Sequence, residues 1–222
     1  METFVVSKVS FLHLQKFFIN LKDQIINTAA ELFLNLGFKS VTMDDIANEL
    51  GISKKTIYSH FSTKTKLVEA STLHILSQIS CGIETIISQE KNAIVELFDI
   101  KNFAMKHLKD NKSSPQFQLK KYYPKVFNLV QKNHLQIMEG CVLKNLEKGI
   151  KNGLYRENIP LEFTSKIYFV GMMGIKDEYH FPLEKFSNEL LENFLDYHLR
   201  AIVTEKGLKT LITLLNKSHL NN

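Results

Sequence analysis

Tryptophan is absent from the 222 residues, and cysteine nearly so, with only Cys81 and Cys141. Two cysteines cannot build a disulfide framework, so a reducing compartment is the natural setting. Proline (4) and glycine (9) are scarce, which leaves long stretches free to stay helical and disfavours a turn-rich β architecture. No uncharged apolar run approaches the ~20 residues needed to span a bilayer. Glu2, Lys8 and Lys16 spoil a secretory signal, which needs a basic start and a continuous apolar stretch. A cytoplasmic location is expected. The eight histidines form no HxxxH or HExxH pair and neither cysteine lies in a CxxC unit, so no metal is expected. Neither a Gly-rich phosphate loop nor a nucleophile elbow is present; Gly171-Met-Met-Gly174 sits in a helical pattern and reads as close helix packing. No catalytic residue and no cofactor is therefore expected, and the chain is not read as an enzyme.

What is there suits a folded, charged protein. With 44% hydrophobic and 23% charged residues the chain can enclose a core, and a disordered chain would need less apolar content. The net charge of +5 is unevenly placed. Residues 1–70 hold 8 basic against 7 acidic residues, and residues 101–156 hold 12 against 3. Yet residues 51–66 contain Lys54, Lys55, Lys64 and Lys66 with no carboxylate, a local patch inside a nearly neutral segment. The larger basic block at 101–156 reads as a solvated face.

Apolar spacing predicts an all-α fold of about nine helices, three short and six longer. Ile25, Ala29, Leu32, Phe33 and Leu36 recur at helical steps before Gly37. Thr42 with Asp45 three residues on makes a shortened capping box, and Ile46, Ala47 and Leu50 line a short helix ending at Gly51. Ser53 is an N-cap candidate for a third helix carrying Ile57 and Phe61. Longer helices are predicted over 67–88, 93–109, 125–151, 161–179, 183–203 and 205–216, with 111–115 as a break. The spacing of Phe11, Leu14, Phe18, Leu21 and Ile25 allows the first helix to start early. Residues 1–20 are read as an N-terminal extension with helical spacing, 21–68 as a first domain of short helices, and 69–222 as a larger C-terminal helical domain.

The stretch from Met43 to Phe61 has the layout of a helix-turn-helix. Ala47 is small where two helices must approach, Gly51 occupies the turn, and Ile46, Leu50, Ile52 and Ile57 form the wedge between the helices. The second helix would present Lys54, Lys55, Thr56, Tyr58, Ser59 and His60 outward, toward phosphates and base edges.

Residues 23–70 resemble the DNA-binding domain of TetR-type transcriptional regulators. The resemblance rests on Ile25-Ile-Asn-Thr-Ala-Ala-Glu-Leu-Phe33, Gly37-Phe38, Thr42-Met-Asp-Asp-Ile-Ala47, Gly51-Ile-Ser53, Thr56-Ile-Tyr-Ser-His-Phe61 and Lys64-Thr-Lys-Leu67. More loosely, Gly153-Leu-Tyr-Arg156 and the helix after Pro160 are similar to the late helices of many members. The resemblance implies that Thr42 meets a phosphate, Thr56 and Tyr58 contact DNA, Lys54, Lys55 and Ser59 read bases, and His60 and Lys64 contact phosphates. For Tyr58 and His60, packing is the alternative, and Ser53 reads as a cap rather than a base reader. The expected partners are an operator duplex, a second copy of the chain, and a small-molecule effector of apolar or anionic character. The expected function is an effector-responsive repressor that binds a pseudo-palindromic operator as a homodimer. The alternative is a helical adaptor whose first module is a protein-binding surface without operator-specific binding.

Two further sets of residues complete the expectations. Phe103, Tyr122, Phe127, Met138, Phe169 and Met172 are candidates to line an effector cavity, since aromatic and methionine side chains spread over several helices can enclose one. Phe163, Ile167, Val170, Phe186, Leu190, Phe194, Tyr197 and Ile202 make the late helices more apolar than one core-facing stripe requires, and the resemblance implies that two such helices per subunit form a dimer interface.

Overall fold

The computed structural model describes residues 20–107, 115–175, 180–181 and 188–219. Nearly all of the 1–20 extension and Phe186 lie outside the described residues. Among the described residues there are ten helices and no strand: α1 Leu21–Leu36, α2 Met43–Leu50, α3 Lys54–His60, α4 Lys64–Ile87, α5 Ala93–His107, α6 Pro115–Tyr122, α7 Pro124–Lys151, α8 Leu161–Gly174, α9 Asn188–Ile202 and α10 Glu205–His219. The all-α expectation holds.

Two local expectations are corrected. The first helix does not start early: Asn20 has extended φ/ψ and its side chain accepts from the Asp23 N–H at 3.0 Å, which closes α1 at Leu21. Helix α6 was not foreseen, because the stretch between Pro115 and Pro124 lacks a long apolar period. Pro115 supplies the first position of α6 and Pro124 that of α7, where a missing N–H costs nothing.

The chain divides into two compact units. The first contains the described residues up to Ile75 together with those between Ser113 and Asn128. Its core is built from Ile25, Ala29, Phe33, Phe38, Ile46, Ile57, Leu67 and Val68, with Leu119 and Val126 from the later segment. Phe33 and Phe38 stack at 5.1 Å across the turn that leaves α1.

The second unit contains the remaining residues. Ile94, Leu97, Phe98, Leu146, Tyr155, Tyr168, Leu195, Leu199 and Leu211 form its core, drawn from α5, α7, α8, α9, α10 and the loop after α7. Several of its buried polar groups are paired. Glu96 accepts from Asn145 Nδ2 at 2.7 Å and from Lys148 Nζ at 2.6 Å, and the Tyr155 hydroxyl donates to Asn145 Oδ1 at 3.1 Å. Lys101, also buried, meets Glu192 at 2.6 Å. A buried charge of this kind is tolerated only with such partners.

Candidate nucleic-acid interface

Helices α2 and α3 are set by local chemistry. Thr42 caps α2 reciprocally: its hydroxyl oxygen accepts from the Asp45 N–H at 3.1 Å, and Asp45 Oδ2 accepts from the Thr42 N–H at 2.7 Å. Those hydrogen bonds hold the Asp45 carboxyl below its usual range. Gly51 ends α2 in the left-handed region at φ 65°, and its N–H reaches back to Ala47 and Asn48 carbonyls. Ser53 then caps α3, its oxygen accepting from the Thr56 N–H at 3.0 Å. Ile46 and Ile57 are fully buried and Ala47 nearly so, whereas Leu50 and Ile52 are half-buried. The buried side of the pair is thus Ile46, Ala47 and Ile57, and the turn angle follows from them.

With Ile57 inward, the rest of α3 faces out. Lys54, Lys55, Tyr58, Ser59 and His60 are exposed and Thr56 is half-buried. Tyr58 is 43% exposed and so is not a core residue. Lys54 is held by Asp44 of α2 at 2.7 Å, which raises its pKa. Thr56 is turned to the cap, its hydroxyl 2.8 Å from Ser53 Oγ, and Ser59 Oγ donates to the Thr56 carbonyl at 2.6 Å. Lys64, at the first position of α4, is half-buried; its Nζ donates to the Lys39 carbonyl at 3.2 Å and lies 5.9 Å from the Phe33 ring. Partial burial lowers its pKa, with Asp45 opposing.

The structure therefore brings all eight expected DNA-contact residues onto one unit, six of them on α3, Lys64 at the start of α4 and Thr42 at the N-cap of α2. It also sets His60 beside residues outside the expected contact set. Lys22, His60, Phe61, Ser62, Lys66, Glu69, Ala70 and Leu73 line a shallow depression of about 390 Å³, with Lys22 Nζ over the Phe61 ring at 5.9 Å. Lys66 was visible in the basic patch; Lys22, more than thirty residues earlier, carried no such signal.

The other expected sites fare differently. Tyr122 and Phe127 belong to the first unit, where Tyr122 receives the Lys39 ammonium at 4.9 Å, while Phe103, Met138, Phe169 and Met172 belong to the second. Met138 and Met172 are half-buried against the second core, and Phe169 meets His134 edge-on at 6.1 Å. A shallow depression of about 380 Å³ in that unit is lined by Asn92, Val95, Lys209, Thr210, Thr213 and Leu214, none of them on the expected list. Of the expected interface residues, Phe163, Ile167, Val170 and Tyr197 are exposed, Tyr197 at 76%. Leu190 and Phe194 are half-buried, and Phe194 packs on Tyr168 and over Gly171. Ile202 is 5% exposed inside the second core, so it presents nothing to a partner. Among the described residues no group of three His, Cys, Asp or Glu could hold a metal ion, and no helix is long and apolar enough to cross a membrane.

Comparison with known proteins meets this geometry at the same residues. Residues 25–71 match the family model described as bacterial regulatory proteins, tetR family. The chain is 41% identical over 51 residues to the biofilm operon icaADBC HTH-type negative transcriptional regulator IcaR of Staphylococcus aureus, covering 23% of this chain and 27% of that protein. It is 30% identical over 83 residues to the HTH-type transcriptional activator FasR of Mycolicibacterium smegmatis, covering 35% and 38%. The match thus spans about a quarter to two fifths of the length of these relatives. Among solved structures, a transcriptional regulator from Cytophaga hutchinsonii aligns with TM-score 0.66 at 20% identity over 81% of this chain and 97% of that one. The TetR-family protein CprB from Streptomyces coelicolor, solved in complex with its operator sequence, aligns with TM-score 0.60 at 18% identity over 90% and 96%. At such identities the likeness is one of fold.

Proposed function

We propose that this chain is a TetR-type transcriptional regulator, a cytoplasmic, homodimeric repressor that reads a pseudo-palindromic operator with α3. One observation carries the reading: α3 buries Ile57 and turns Lys54, Lys55, Tyr58, Ser59 and His60 outward, in a stretch, 51–66, that has four lysines and no carboxylate. Such a surface attracts the phosphate backbone, and a short helix of this width fits the major groove. Lys55 is the base reader with no partner to leave, Tyr58 and Ser59 flank it, and Lys64, His60 and Thr42 meet phosphates.

Dimerisation rests on the exposed stripe of Phe163, Ile167 and Val170 on α8, at steps of four and three, with Tyr197 of α9. In a two-fold dimer the two α3 helices read half-sites about 34–36 Å apart or a multiple of that. Repression is favoured by the likeness to IcaR, a negative regulator. The effector site belongs to the second unit and is lined by Phe103, Met138, Phe169 and Met172. Its ligand is apolar or anionic.

The test is selection of bound fragments from the source genome at moderate salt, followed by footprinting. One enriched inverted repeat supports operator reading. Uniform, weak retention of all fragments favours the adaptor reading instead.

A further inference from the structure

The turn between α1 and α2 is held from an unexpected direction. Gly37 has φ 94°, in the region that favours glycine, and the space its missing side chain leaves is filled by the end of the Gln118 side chain. A Cβ on Gly37 would stand 2.8 Å from Gln118 Cδ. From that position Gln118 Oε1 accepts the Lys39 N–H at 3.0 Å, across 79 residues of sequence. Gln118 lies on α6, in the segment that joins the first unit from later in the chain, and Leu119 beside it is buried there. One turn further on, Tyr122 takes the Lys39 ammonium against its ring at 4.9 Å.

Lys39 is also where the DNA-facing residues are tied down. Its carbonyl accepts from Lys64 Nζ at 3.2 Å. Three residues on, Thr42 begins the capping box that starts α2. One residue therefore receives α6 through its N–H and its ammonium, and hands on to Lys64 through its carbonyl. A lone backbone hydrogen bond to a surface glutamine is worth little. This one stands out because the glycine cradle admits the glutamine and would exclude it if any side chain were added.

We propose that Gln118 is a positioning residue for the DNA-contact surface: it fixes the α1–α2 turn through Lys39 and so sets where Lys64 and Thr42 meet the phosphate backbone. This rests on the DNA-binding reading above. Gln118 itself touches no DNA; it acts through Lys39.

The test uses the full chain and two variants. Gln118→Leu keeps the apolar stem but removes the acceptor, and Gln118→Glu restores an acceptor for the Lys39 N–H. Amide exchange across residues 37–42 reports the contact itself, and affinity for the fragment best bound by the wild type reports positioning. In Gln118→Leu, exchange at Lys39 should quicken about three- to tenfold, on the scale of one hydrogen bond, and DNA affinity should fall several-fold while the thermal midpoint stays within a few degrees. Gln118→Glu should recover both. Unchanged exchange at Lys39 in Gln118→Leu overturns the contact. Faster exchange with unchanged DNA affinity overturns the positioning role. A wild-type chain that binds no fragment overturns the DNA reading, and the positioning role with it; that failure is recognised because it appears before any substitution is made.

Discussion

Lys54 of α3 and Asp44 of α2 form an ion pair at 2.7 Å across the two helices of the helix-turn-helix. Both side chains are about half exposed, so the pair contributes little to stability. Its consequence is for binding, because Lys54 must share its charge between Asp44 and a phosphate or base. Asp44→Asn should release it. Affinity for random-sequence duplex should rise a few-fold, and the slope of log K against log salt should steepen by about 0.9, one added phosphate contact. Anisotropy titrations over a salt series measure both.

Lys55 is exposed and carries no such counter-charge. Lys55→Ala should cost about 1–3 kcal/mol on a selected operator and little on random DNA, the mark of a base contact. Lys64→Ala should weaken both substrates alike and flatten the salt slope, the mark of a phosphate contact. Equal losses on both substrates for both variants would remove the distinction. The comparison needs only competition gel shifts at one salt and its double.

The capping box makes a stability prediction. Thr42→Ala loses the hydroxyl that accepts from the Asp45 N–H and donates to Asp45 Oδ2, while the backbone N–H of residue 42 still reaches that carboxylate, costing about 1 kcal/mol in urea denaturation. The carboxyl of Asp45 is held low in the folded chain, so its contribution is present above the ordinary carboxylate range and fades as pH falls through it. In Thr42→Ala that acid sensitivity should shrink.

This part of the molecule was legible in the sequence because its determinants are local. Thr42 and Asp45, Gly51, Ser53 and Thr56 each act within a turn of their own position. The Gln118–Lys39 contact was not legible, since nothing in the composition of either segment points 79 residues away. Helix α6 was hidden between two prolines that read as breaks and serve as helix starts. Ile202 shows the limit of apolar counting: it lies on the same helix as exposed Tyr197, but faces the core. The expected effector set mixed two units for a similar reason, because aromatic residues on neighbouring stretches of sequence need not share a cavity.

The second unit carries its own pH dependence. His198 is buried against Tyr168 and Phe194, at 5.0 and 6.1 Å, and burial lowers its pKa from 6.5 to about 4. The folded chain thus keeps it neutral while the unfolded chain protonates it. Stability from this group is full above about pH 6.5 and is lost as pH falls toward 4, by about 2–3 kcal/mol at pH 4.5. His198→Leu should flatten that decline in urea midpoints taken at pH 7.5 and 4.5.

The exposed stripe on α8 predicts assembly. Val170→Glu places a carboxylate on the Phe163, Ile167 and Val170 face and should weaken dimerisation at least about tenfold, the scale of one desolvated charge. Sedimentation at micromolar concentration reads it. A wild-type chain that sediments as a monomer would remove the dimer.

The central claim is that α3 reads DNA sequence. Its most direct measurement is enrichment of DNA from a random library by the wild type and by Lys55→Ala at about 0.15 M salt, where the screening length is about 8 Å. The account predicts an inverted repeat for the wild type, with half-site centres about 34–36 Å apart or a multiple of that, and altered or relaxed preference at matching positions in Lys55→Ala. No enrichment by the wild type, or the same motif recovered unchanged by Lys55→Ala, would contradict it.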